Sequence, residues 1–236
     1  MAPETELLTL LGVGFLLGLR HALDSDHLAA VSTVLAERPS FLASGAVGLW
    51  WGIGHTLTLL LVGSMVLAWG IRIPDEFEFM AESGVAVLLL VLGGTLAVRL
   101  YRERWHVHSH HHDGAPHVHF HSHQRQEDHR HRHWMAQSIR PLCIGMVHGL
   151  AGSAALMLVI LASTKEVGAG LLSILIFGVG SIVGMMLIGL TISVPVMYSR
   201  SISQRLFIAV QGVSSFASVL VGVWMLVKLT LFAGAS

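Results

Sequence analysis

Cysteine is almost absent from this chain, with Cys143 the only one. A single thiol excludes an internal disulfide framework and any cysteine-based metal cluster. Charge is scarce too: 12% of residues are charged, against about 25% in soluble domains. Lys+Arg and Asp+Glu balance at 14 each, so no net charge recommends a nucleic acid as partner. No Gly-x4-Gly-Lys-Ser/Thr run occurs, which excludes nucleotide hydrolysis through such a loop. The opening Met-Ala-Pro-Glu-Thr-Glu is acidic and lacks the basic region of a cleaved signal peptide. The first apolar segment is therefore expected to stay in the mature protein.

What remains is apolar. Hydrophobic residues make up 53% of the sequence and the mean hydropathy is +0.69. Six segments, approximately 7–36, 41–70, 81–101, 139–163, 167–198 and 205–233, reach the length of about 20 residues needed to cross a bilayer. The fold expected is all-α, a polytopic membrane protein of six transmembrane helices. Pro39, Pro74 and Pro141 fall at or near segment ends, and Pro195 lies inside the fifth segment, where it is expected to kink or end it. The one long connection, roughly 102–138, is rich in histidine.

The two halves resemble each other. His21-Ala-Leu-Asp-Ser-Asp-His-Leu28 matches His148-Gly-Leu-Ala-Gly-Ser-Ala-Ala155 at an offset of 127. Trp51-Gly-Ile-Gly-His55 matches Phe177-Gly-Val-Gly-Ser181 at an offset of 126. Gly84 pairs with Gly212, and Gly94 with Gly222, at 128. The chain thus divides into a first three-helix repeat (1–101), a His-rich loop (102–138) and a second three-helix repeat (139–236). Three spans per half are an odd number, so the second half must cross the membrane inverted. A 3+3 inverted repeat with a polar site at mid-membrane is a transporter signature.

Basic residues orient the chain. Ten fall on one side (Arg38, Arg99, Arg102, Arg104, Arg125, Arg130, Arg132, Arg140, Arg200 and Arg205) and three on the other (Arg72, Lys165 and Lys228). The His-rich loop is expected in the cytoplasm and both termini outside, in the inner (plasma) membrane.

Within the first segment stands Arg20-His21-Ala22-Leu23-Asp24-Ser25-Asp26-His27. Each Arg or Asp at mid-membrane costs about 2.5–3.5 kcal/mol on insertion scales, so such a run marks a substrate site. Of sixteen histidines, twelve lie between His106 and His133, and the other four, His21, His27, His55 and His148, fall within expected spans. Imidazoles and carboxylates without thiolate suit a divalent transition metal, although spacing alone does not separate Ni²⁺ from Zn²⁺. The candidate metal residues are His21, Asp24, Asp26, His27, His55 and His148. On a continuous helix His21, Asp24 and His27 share one strip and Asp26 points elsewhere, so either Asp26 supports the ligands from behind or the helix unwinds and turns both acids to one ion. Arg20 is placed to reach Asp24 at i,i+4 spacing. The twelve loop histidines, with alternation such as His117-Val-His-Phe-His-Ser-His123, can chelate metal without a fold.

His21-x4-Asp26-His27 resembles the His-x4-Asp-His signature of the nickel/cobalt transporter family (NiCoT). Gly52-Ile-Gly-His55-Thr56 is similar to that family's second element. The resemblance implies permeation of Ni²⁺ or Co²⁺, with His21, Asp26, His27 and His55 in the ion-binding region. It implies no prosthetic group, and a cytoplasmic nickel chaperone or nickel enzyme as partner. Two features depart from the family: it generally has eight spans, and its acidic Phe-Asp-Thr-Ala-Thr-Glu element is replaced here by Met146-Val-His-Gly-Leu-Ala-Gly-Ser153. The leading function is uptake of Ni²⁺ or Co²⁺ by a transporter rather than an enzyme. Efflux, a membrane metallochaperone and an intramembrane metalloenzyme are the alternatives.

Overall fold

The computed structural model describes residues 3–37, 40–71, 73–103, 109–112, 115–118, 134–152 and 166–233. Among them are seven helices: α1 (Pro3–His21), α2 (Ser25–Glu37), α3 (Phe41–Trp69), α4 (Asp75–Glu103), α5 (Trp134–Ala151), α6 (Val167–Ile202) and α7 (Gln204–Ala233). Four of these, α3, α4, α6 and α7, are long and apolar enough to cross a membrane.

The structure bears on the sequence expectations at four places. Segment 7–36 is not one helix; it breaks at residues 22–24 into α1 and α2. Segment 139–163 is helical to Ala151, and beyond residue 152 it lies outside the described residues. Pro141 sits inside α5 and Pro195 inside α6, and neither ends its helix. The long loop is not wholly irregular: Ser109–His112 (β1) and Ala115–Val118 (β2) pair antiparallel, with His110 opposite His117. The expected helix ends at Pro39 lie outside the described residues, whereas Pro74 directly precedes α4 and its carbonyl accepts the N–H groups of Phe77 and Glu78.

In the bundle α3 packs against both α5 and α6, α1 against α6, and α4 against α7. Large apolar side chains such as Leu16, Leu61, Val87, Leu187 and Phe216 are exposed along these helices. So broad an apolar exterior suits lipid rather than water. Inside, hydroxyls and an amide bridge helices by donating to carbonyls: Thr33 to Ser214 (3.1 Å), Ser215 to Gly93 (2.8 Å), Ser218 to Leu89 (3.0 Å) and Gln211 to Ala36 (2.7 Å). At the end of α2, Glu37 receives Arg140 of α5 at 3.0 Å and Arg99 of α4 at 3.6 Å.

Small residues let the backbones touch. A Cβ on Gly18 (α1) would fall on the carbonyl of Phe177 (α6), and one on Gly145 (α5) would fall on the carbonyl of Trp51 (α3). These two contacts correspond: an offset of 127 takes Gly18 to Gly145, and 126 takes Trp51 to Phe177. The pattern recurs with Gly180 against Phe15 and Gly54 against Leu142. It recurs again within the α3–α6 crossing, where Gly52 meets Ile182 and Gly178 meets Thr56. The way α1 meets α6 is thus the way α5 meets α3.

Candidate metal site

The break between α1 and α2 builds the site. Asp24, Ser25 and Asp26 are residues whose short polar side chains compete with helical hydrogen bonds and favour helix starts. At this point the backbone tightens: Leu23 N–H bonds to Arg20 (2.8 Å) and Asp24 N–H to His21 (3.1 Å), before Leu28 N–H bonds to Asp24 (3.0 Å) and opens α2. His21 therefore closes one helix and His27 lies in the first turns of the next.

His27 Nδ1–H donates to the His21 carbonyl at 3.0 Å, which fixes the tautomer and leaves Nε2 with a lone pair. His148 on α5 is held the same way, its Nδ1–H donating to the Ile144 carbonyl at 3.1 Å. Its Nε2 is buried with no hydrogen-bond partner. His21 Nδ1 lies 2.8 Å from Asp24 Oδ2, and its Nε2 lies 3.2 Å from Nε2 of His55 on α3. With His21 Nδ1–H donating to Asp24, His55 Nε2–H donates to His21 Nε2, and His55 Nδ1 is left buried without a partner.

Two donor groups result, and they share one residue. His21, His27 and His55 form the first; Asp26, His27 and His148 form the second, with the ligand atoms of each within 4.8 Å of one another. Asp26 Oδ2 lies 3.9 Å from His27 Nε2 and 3.8 Å from His148 Nε2. Two donors on one ion at about 2.1 Å each can be no more than about 4.2 Å apart. The His21–His55 and both Asp26 separations fall inside that limit, with the His55 proton moved to its unpartnered Nδ1 when Nε2 serves as a donor.

All six sequence candidates lie near the break, but not as a continuous helix would arrange them. The strip of His21, Asp24 and His27 does not form. Asp24 turns back onto His21 and is half exposed, while Asp26 faces His27 and His148. The expected pairing of Arg20 with Asp24 is absent as well: α1 ends at His21, so the i,i+4 geometry is lost and Arg20 is exposed. The histidines between 106 and 133 are described only as backbone, in β1 and β2, or lie outside the described residues.

Sequence reasoning missed the aromatic wall. Trp51 lies 5.0 Å from the His148 ring and Phe177 5.4 Å from the His21 ring, centroid to centroid. Both had a signal, since the sequence match at an offset of 126 aligns Trp51 with Phe177. Ser181, which the same offset aligns with His55, is fully buried with its Oγ unpartnered. The arrangement offers neutral imidazoles and one carboxylate in an apolar enclosure, a donor set suited to a divalent transition metal.

Comparison with known proteins agrees with that chemistry. The family model NicO, described as high-affinity nickel-transport protein, matches residues 7–233. Urease accessory protein UreH of Bacillus sp. (strain TB-90) is 33% identical over 232 residues, covering 98% of this chain and 96% of that protein. The high-affinity nickel transport protein of Cupriavidus necator is 31% identical over 99 residues, 39% of this chain and 26% of that protein. Hydrogenase nickel incorporation protein HupN of Bradyrhizobium diazoefficiens is 28% identical over 104 residues, again 39% of this chain and 26% of that protein. No solved structure matches the chain.

Proposed function

The chain belongs to the NicO family of high-affinity nickel-transport proteins, and from that premise we propose that it takes Ni²⁺ into the cytoplasm through the histidine cluster at the α1–α2 break. It is a multi-pass membrane protein that transports nickel. The observation that carries the site is the convergence of four imidazoles, from α1, α2, α3 and α5, in an apolar interior that gains nothing in stability from them. In this reading His21, His27 and His55 hold the ion, Asp24 orients His21, and Asp26 and His148 extend the cluster. The same donors accept Co²⁺.

The six spans belong to two inverted repeats, 1–101 and 139–236, joined by the loop 102–138. The corresponding glycine contacts of α1 on α6 and α5 on α3 support this reading. Ten basic residues against three favour the loop in the cytoplasm and the termini outside, and uptake into the cytoplasm calls for the plasma membrane. An inward-negative potential of 100 mV supplies about 4.6 kcal/mol for a divalent ion, at about 2.3 kcal/mol per charge. The urease accessory name of one relative favours a nickel enzyme, or a chaperone serving one, as recipient.

The test is Ni²⁺ uptake into proteoliposomes with an inward-negative potential, for the full chain and for His55→Ala. Uptake by the full chain and its loss in the variant are expected. Wild-type uptake by His55→Ala removes the assigned site. For orientation, single cysteines at Ser109 and at Thr5 in a Cys143→Ser background are exposed to an impermeant reagent on intact cells. Thr5 should label and Ser109 should not; the opposite result reverses the direction.

A further inference from the structure

His27 belongs to both donor groups, yet it has one nitrogen to offer. Its Nδ1–H is committed to the His21 carbonyl at 3.0 Å, so only the single Nε2 lone pair can bind an ion. The first group would bind through His21, His27 and His55, and the second through Asp26, His27 and His148. One lone pair cannot serve two cations, and two divalent ions so close together would repel strongly in an apolar enclosure.

We infer that the ion occupies two overlapping positions in turn, pivoting on His27 and exchanging His21 and His55 for Asp26 and His148. This rests on the reading of the cluster as the cargo site. His27 stays bound throughout, so the ion never has to cross the apolar interior bare. The exchange needs no oxidant and no bond beyond the coordination bonds made and broken. The two positions are unequal: the first offers three neutral imidazoles, the second a carboxylate. The second is also half prepared, because His148 Nε2 is buried without a hydrogen-bond partner, 3.8 Å from Asp26. His148 is the repeat equivalent of His21, at an offset of 127. Pivoting therefore moves the ion from a histidine of the first half to its counterpart in the second.

The test counts Ni²⁺ bound at saturation by the purified full chain and by His27→Ala. Any ions on the loop histidines are common to both proteins and cancel in the difference. A difference of one ion per chain is expected. A difference of two means that the positions fill independently, which overturns the shared pivot and leaves the cargo reading standing. No difference means that neither position needs His27, which overturns the shared pivot and leaves the cargo reading to the His55→Ala uptake test. If His27→Ala does not purify as a monodisperse species, His27→Gln takes its place. Independently, His148→Gln should keep the one ion but slow initial Ni²⁺ uptake by at least about tenfold, the lower end of what perturbing a metal site costs. Uptake at the wild-type rate in that variant overturns the second position.

Discussion

Asp24 Oδ2 and His21 Nδ1 sit 2.8 Å apart across the turn that ends α1. The carboxylate accepts a hydrogen bond from Nδ1–H and so aims the Nε2 lone pair of His21 toward His55 and His27. In the proposed site the acid would act on the ion through the ring it holds.

Replacing that acid should therefore weaken the site without dismantling it. Asp24→Asn is expected to raise the Ni²⁺ concentration for half-maximal uptake by about 10–100-fold. The maximum rate should change less, and the protein should purify normally. Initial rates in proteoliposomes over a range of Ni²⁺ concentrations check this. Total loss of uptake at every concentration would instead make Asp24 a direct ligand.

The glycine contacts make a paired prediction. Gly18→Ala and Gly145→Ala should each cost at least the usual overpacking penalty of about 1–3 kcal/mol, because the new methyl meets a carbonyl that cannot turn aside. Gly84→Ala and Gly212→Ala, with nothing within 4 Å, should be tolerated. Thermal midpoints of the four purified variants decide the matter. Unequal damage at Gly18 and Gly145 would argue against equivalent roles in the two halves.

Glu37 is bound by two arginines from different helices, both about half exposed. Exposed partners are screened, so Glu37→Gln is expected to cost about 1 kcal/mol rather than the full value of a charged hydrogen bond. The difference from wild type should shrink as salt rises. Thermal midpoints at low and high ionic strength measure both effects.

Deleting residues 106–133 removes twelve histidines and leaves His21, His27, His55 and His148. Transport should persist, with less metal captured per protein and a shifted concentration dependence. An imidazole with an unperturbed pKa of about 6.5 is mostly protonated at about pH 6, and its protonated form cannot ligate. The intact protein at about pH 6 should then resemble the deletion, while at about pH 7.5 the two should differ. Loss of all transport on deletion, with normal expression, would place the loop in the pathway.

The sequence made the membrane class and the nickel-transport family legible, because both rest on features read locally: long apolar runs, and the His21-x4-Asp26-His27 element. It also marked residues 20–27 as the place to look. The break at 22–24 was harder to read, since the helical preference of the flanking Leu-rich stretches competes with three capping-type residues. Of the two arrangements the sequence left open, a continuous helix would have paired Arg20 with Asp24, whereas the break turns Asp26 toward His27 and His148. The approach of His148 to Asp26 could not be read at all. It depends on α5 docking against α3 at Gly145, Gly149 and Gly54, and no local pattern encodes where two distant helices cross. The hold of Arg99 and Arg140 on Glu37 is likewise a product of packing.

The backbone contacts at the helix crossings also determine which damage can be repaired genetically. Where a glycine faces a side chain, a second mutation can make room: Gly45 lies against Leu190, so a bulkier residue at 45 has an obvious suppressor in a shortened side chain at 190. Gly18 and Gly145 face the carbonyls of Phe177 and Trp51, and every amino acid has that carbonyl. No substitution at 177 or 51 restores the lost space. A revertant hunt started from Gly145→Ala should therefore recover the original glycine and nothing at position 51.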